Sequence, residues 1–166
     1  MLGRIGLFFL IVAFFPLVAV GALIFGAIVN PIYRQRLQKK FLAKHGSRGH
    51  FVLFAYDPQA DSSTLIESEI LPRIEPHLTR LHARADLTVP RRDRSLELQV
   101  LHQYGGGAEA LPIAVIVHPK VGIRVIRFGP AIDSLAEDNR EHLERRLEEL
   151  DHTVAEIKKH GRIGQA

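Results

Sequence analysis

The chain predicts an α/β domain of order β-α-β-α-β-β-α, preceded by a single transmembrane helix. Three observations predict it. Residues Ile5 to Val29 run for twenty-five positions without a charged or amide side chain. After residue 49, short apolar strand-like segments alternate with helical ones. The basic excess sits at the start: the first 46 residues hold six cations and no acid, the remaining 120 sixteen cations and eighteen acids. The net charge of +4 thus belongs to the beginning of the chain, and the domain itself carries −2. A nucleic-acid-binding reading needs the excess on the binding domain and is excluded on that ground.

At about 1.5 Å per helical residue, the apolar run exceeds a hydrocarbon core of roughly 30 Å. It is longer than a signal-peptide core and ends in Ala27-Ile28-Val29-Asn30-Pro31, a poor cleavage site. An uncleaved anchor over residues 1–30 is therefore expected. Behind it stand Arg34, Arg36, Lys39, Lys40, Lys44 and Arg48, with no acid before Asp57. The positive-inside tendency places the C-terminal domain on the cytoplasmic side of an inner membrane, a periplasm-facing domain being the alternative. Residues 31–48 read as a basic amphipathic juxtamembrane segment. Tyr33, Leu37 and Phe41 fall on one face, while Arg34, Arg36, Lys39, Lys40 and Lys44 are candidates for anionic lipid. The alternative for this segment is a plain topology determinant and linker.

Residues 49–166 are one domain by length. His50 to Tyr56 is a strand, and Asp57-Pro58-Gln59-Ala60-Asp61 a loop ending at a helix cap, Asp61 or Ser62. A helix to about Ala85 carries Leu65, Ile70, Leu71, Ile74, Leu78 and Leu81 on its apolar side, kinked or restarted by Pro72 and Pro76. Asp86 to Pro90 is the second strand, and Ser95 to Tyr104 a short helix stopped by three glycines. Ile113 to Val117 is continuous and apolar, as a buried central strand should be. Val121 to Phe128 follows across a tight His118-Pro119-Lys120 connection and is expected antiparallel to it. Ser134 to Glu137 forms a capping box opening a long C-terminal helix.

With that order on the page, residues 50–150 resemble the thioredoxin-like superfamily. The resemblance rests on the first strand with its loop and proline-kinked helix (Pro72), the Leu111-Pro112-Ile113 entry to the third strand, the hairpin and the capped last helix. It implies a cis peptide bond at Pro112 and a groove between the first loop and Pro112 where extended peptide can dock. Tyr56, Asp57, Pro58, Leu111 and Pro112 are its expected contact residues. Thioredoxins carry Cys-x-x-Cys in that loop; here the stretch is Tyr56 to Asp61, and the chain has no cysteine. Thiol–disulfide exchange needs a thiolate, so the resemblance implies a binding surface without the family's activity.

Other chemistry finds no pattern. The histidines show no H-x-x-x-H spacing, and the zero cysteine count removes thiolate metal ligands. Gly105-Gly106-Gly107 lacks the G-K-[ST] of a phosphate loop, and no G-x-S-x-G occurs. No catalytic residue, metal or cofactor is expected. Arg91, Arg92 and Arg94, with Arg124 and Arg127, form a candidate anion surface. In the last helix Leu143, Leu147, Leu150, Val154 and Ile157 step at coiled-coil spacing. Such a helix packs in cis or pairs with a second copy through its tail. Two functions are therefore expected: a membrane-tethered, non-catalytic protein-interaction module with a membrane or cytoplasmic protein partner, or an enzyme or small anionic-ligand binder using the arginine surface.

Overall fold

A computed structural model describes residues 26, 30–82, 94–106, 110–137 and 139–161. The chain divides into two compact units, Met1–Arg36 and Leu37–Ala166. Of the first, Gly26 and residues 30–36 are described, and all are helical. The second opens with helix α1, residues 37–45. Leu37, Phe41 and His45 recur every fourth residue on one face of α1, and all three are buried. A 3-10 turn, Gly46–Arg48, ends at Gly49, whose φ of +74° suits a residue without Cβ.

Strand β1, Val52–Tyr56, is buried at every position. Helical turns follow: α2 over Ser63–Leu65, a π-helical turn over Ile66–Ile70, α3 over Leu71–Ile74 and a 3-10 turn over Glu75–His77. Pro72 lacks the N–H that would bond the Ser68 carbonyl, and the ladder slips there, with the Leu71 N–H donating to the Ile66 carbonyl. Pro76 sits in the 3-10 turn, after which Leu78 turns extended with ψ of 130°. Strand β2 is Leu78–His82. Helix α4, Leu96–Val100, is capped by Ser95, whose hydroxyl accepts from the Leu98 N–H. A second π-helical turn, Leu101–Gly105, continues it. Strands β3, Ile113–His118, and β4, Gly122–Arg127, form a hairpin, and Gly122 takes φ of +82° where β4 opens. Helix α5 is Gly129–Asp133, followed by a 3-10 turn over Ser134–Glu137 and by α6, Glu141–Gly161.

The sheet order is β2-β1-β3-β4. β1 pairs parallel with β2 and antiparallel with β3, which pairs antiparallel with β4. Val52, Phe54, Tyr56, Ala114 and Ile116 face one core with Ile70, Ile74, Leu147 and Leu150 from the helices. Gly105 packs on the other face: a Cβ there would lie 3.1 Å from Ile113 Cδ1 and 2.9 Å from Leu101 Cδ1. Both faces are therefore covered, which is why β1 and β3 read as unbroken apolar runs. At about 1.5–3 kcal/mol for each large apolar side chain buried, this double layer dominates the stability of the unit.

The expected fold class is corrected in several respects. The described chain is predominantly helical around a small sheet whose antiparallel part is three strands, β1, β3 and β4. The single long helix to Ala85 is absent: Pro76 ends it, and the second strand is Leu78–His82, while the expected strand Asp86–Pro90 lies outside the described residues. Ser134–Glu137 is a separate 3-10 turn, and the long helix starts only at Glu141.

The transmembrane expectation is corrected as well. Among the described residues no helix is long and apolar enough to cross a membrane. The single-pass inner-membrane placement, facing cytoplasm or periplasm, falls with it. Residues 1–25 and 27–29, including the apolar run apart from Gly26, lie outside the described residues. The described helical stretch at 30–45 carries Arg34, Arg36, Lys39, Lys40 and Lys44, and each such charge costs about 2.5–3.5 kcal/mol at mid-bilayer. Hydropathy records only that a segment avoids water, not which apolar surroundings accept it.

Candidate functional site

One cleft of about 130 Å³ lies where the loop after β1 meets the entry to β3. Its near wall comes from Asp57, Ala60, Ser62 and Ile66. The loop is shaped locally: Asp57 Oδ1 accepts from the Gln59 N–H at 2.9 Å, and the Asp57 carbonyl accepts from the Ala60 N–H at 3.2 Å. This is an Asx turn, the reason an aspartate suits a strand end that must reverse. The Ser62 carbonyl then accepts the Ile66 N–H and starts the helical turns.

Leu111 and Pro112, joined by a cis peptide bond, form the floor. The Pro112 carbonyl accepts from the Phe128 N–H at 2.9 Å, which holds the end of β4 against the entry of β3. Gly129 completes this approach, since a Cβ there would stand 3.0 Å from the Leu111 carbonyl oxygen. The far wall is Gly129, Ile132 and Asp133 on α5. Two carboxylates, Asp57 and Asp133, thus border an otherwise mostly apolar space, and no Lys or Arg lines it.

Of the expected groove residues, Asp57, Leu111 and Pro112 line the cleft. Tyr56 does not: its ring belongs to the core, and its hydroxyl donates to Glu67 Oε1 at 3.2 Å. Pro58 is exposed on the loop, outside the lining. Sequence reasoning missed Ala60, Ser62, Ile66, Gly129, Ile132 and Asp133. The signal for the last three was available in Gly129-Pro130 directly after β4, a helix start against the strand's end.

Of the expected arginine surface, Arg124 and Arg127 are not brought together. Arg124 pairs with Glu156 of α6 at 3.0 Å, whereas Arg127 Nη2 donates to the Gly105 carbonyl at 3.4 Å. Three residues apart on one strand, they point to opposite faces. Arg94 lies before α4, and Arg91 and Arg92 are outside the described residues.

The basic segment also has internal uses. Arg34, Arg36, Lys39 and Lys40 are exposed, but Lys44 Nζ lies 2.7 Å from Glu97 Oε1. His45 Nε2 meets the same oxygen at 2.6 Å. Burial alone would raise the Glu97 carboxyl. Hydrogen bonds from Lys44, its own backbone and His45, with the Lys44 charge, hold it instead at about 2. Leu37 and Phe41, expected on a lipid-facing stripe with Tyr33, are buried within the second unit. The stripe Leu143, Leu147, Leu150, Val154 and Ile157 is likewise buried in the core, so its cover is this chain's own sheet and helices. Asp151 pairs with Arg73 and Arg146 with Glu149, all within the chain.

At the far end of β3, His118 is 3 % exposed. Its Nδ1 accepts from the Lys120 and Val121 N–H groups, so that nitrogen carries no proton. The ring meets Phe51 edge-on at 4.7 Å and stacks on His160 at 6.3 Å. Burial, then the neighbouring His160, Lys120 and His77, push its pKa down. Among the described residues no group of three or more His, Asp or Glu is placed to hold a metal ion. No protein-family model matches the chain, and neither a curated protein nor a solved structure matches it.

Proposed function

We propose that the chain is a non-catalytic protein-interaction module whose cleft beside Leu111–Pro112 receives a side chain of an extended partner segment. The observation that carries this is the cleft itself, which gathers residues from three separated stretches, 57–66, 111–112 and 129–133, around one open space. Its volume of about 130 Å³ is below the roughly 300–1,000 Å³ of small-molecule sites. It is close to the roughly 150 Å³ that accommodates a benzene. One side chain fits; a nucleotide does not. The sequence has no cysteine to support thiol chemistry, and a thioredoxin-like ancestry without its thiols would leave a binding groove at this place. The split of Arg124 and Arg127 between the two sheet faces weighs against the anionic-ligand alternative.

A photo-crosslinking residue tests the reading. Benzoylphenylalanine at Ala60, inside the cleft, should give a discrete protein adduct in cells producing the full chain. The same residue at exposed Lys120, at the far end of the hairpin, should not. Equal adduct patterns from both positions would overturn the proposal.

A further inference from the structure

We propose that His118 is an acid-sensitive latch: while neutral, its ring closes the β3–β4 turn onto the C-terminal end of α6, and a proton taken up on Nδ1 releases both. The proposal is independent of the docking reading and concerns the opposite end of β3. Four separated stretches meet there. His118 ends β3, Phe51 precedes β1, His77 closes the 3-10 turn before β2, and His160 lies in the last turn of α6.

The latch follows from which nitrogen is bare. His118 Nδ1 accepts from the Lys120 N–H at 3.3 Å and the Val121 N–H at 3.2 Å. The neutral ring therefore carries its hydrogen on Nε2, and Nδ1 is its basic nitrogen. A proton arriving there turns the acceptor into a third donor facing two donors. The backbone N–H groups lose their partner at the moment that a ring only 3 % exposed becomes a cation. Both costs vanish if the ring swings into water and the turn opens. His77 makes the contrast: its Nδ1 donates to the Gly49 carbonyl at 3.1 Å, a bond that the protonated ring keeps. A proton on His77 breaks nothing, whereas on His118 it undoes the geometry.

The surroundings offer a cation no relief. The groups that act on the ring are His160 from α6, Lys120 from the turn and His77 from the 3-10 turn, and none of them is an acid. Burial, then these three neighbours, favours the neutral form. His50 precedes Phe51, and Glu156, one turn before His160, is held by Arg124 at 3.0 Å. The end of α6 is readily freed. Beyond Ile157, Lys158 and Lys159 are exposed, and half-buried His160 stacks on His118 at 6.3 Å. His160 Nδ1 is buried without a hydrogen-bond partner, so release returns it to water.

Hydrogen exchange read by mass spectrometry on the full chain tests the latch, at about pH 7.5 and pH 5.5 with labelling times scaled for the intrinsic effect of pH. Protection over residues 118–124 and 155–161 should fall, by up to about tenfold per pH unit for the uptake of one proton. Strand β1 should stay protected. His118→Asn keeps an acceptor for both N–H groups and should abolish the response, while His77→Asn should leave it intact. Should H118N fail to fold, imidazole 15N spectra of the unaltered chain decide: protonation of His118 Nδ1 should share its midpoint with the loss of protection. Unchanged protection in acid, an equal loss over β1, separate midpoints, or a response that survives in H118N overturns the proposal.

Discussion

The two ends of strand β3 are built to opposite specifications. At its entry, Leu111–Pro112 borders an open cleft with two carboxylates at the rim. At its exit, about 20 Å away at 3.3 Å per residue, His118 is shut in by Phe51, His160 and the backbone N–H groups of Lys120 and Val121. The entry keeps open space beside its charges, whereas at the exit the histidine ring is closed in and the charge that stays exposed is Lys120 of the turn. Docking needs room left over; holding a hairpin to a helix needs none. The same strand serves both purposes because its six buried residues separate them.

Truncations at the two ends should differ most. Ile157→Ala removes a side chain that is 1 % exposed near the closed end and should cost about 3 kcal/mol, lowering the melting midpoint by roughly 10 °C. Ile132→Ala, at the half-buried cleft wall, should cost about 1 kcal/mol or less. Comparable losses for both in thermal unfolding would erase the distinction.

Acid should next attack the tie between α1 and α4. Glu97 has a folded pKa of about 2 against an ordinary 4.5. A depressed carboxylate contributes stability that is present above the unfolded value and lost as pH falls from about 4.5 towards 2. Denaturant midpoints should report a loss of about 2–3 kcal/mol across that window, and Glu97→Gln should flatten it.

A smaller effect belongs to His118. A base whose folded pKa is depressed binds its proton more readily when unfolded, so stability falls as pH drops below the ordinary histidine value of about 6.5. The charged and titratable groups facing it are His160, Lys120 and His77. His118→Asn keeps an acceptor for the two N–H groups and should remove that slope; an unchanged slope would assign it elsewhere. Least of all, Arg124→Ala breaks a half-exposed pair with Glu156 and should change stability by about 1 kcal/mol or less.

How much of this was legible depends on whether one periodicity fitted each segment. β1, β3 and β4 were readable because runs such as Ile113–His118 admit no helical face. β2 was not: Leu71, Ile74, Leu78 and Leu81 keep three- and four-residue spacing, so five extended residues hid in a helical pattern. Pro76, read as a kink or restart of the helix, is where the helical turns end. A third of the cleft lining was readable, from the strand-end aspartate and Leu111-Pro112. For the wall at Gly129–Asp133 the local pattern offers only the Gly129-Pro130 helix start; that α5 folds back onto the entry of β3 is set by tertiary packing. Arg124 and Arg127, offered together for one surface, stand three apart on a strand, and alternation sends them to opposite faces. The long apolar run supplied a strong preference to leave water and no information about its destination.

The tie from α1 to Glu97 also tells an experimentalist where not to cut. Gly46 and Gly49 look like a natural place to begin a trimmed version for expression, and starting at residue 49 would discard Lys44 and His45. Glu97 would lose both counterparts, and the apolar surface that Leu37 and Phe41 cover would be bared. A shortened protein that precipitates would therefore report a missing staple, not a domain unable to stand alone, and the start belongs before Leu37.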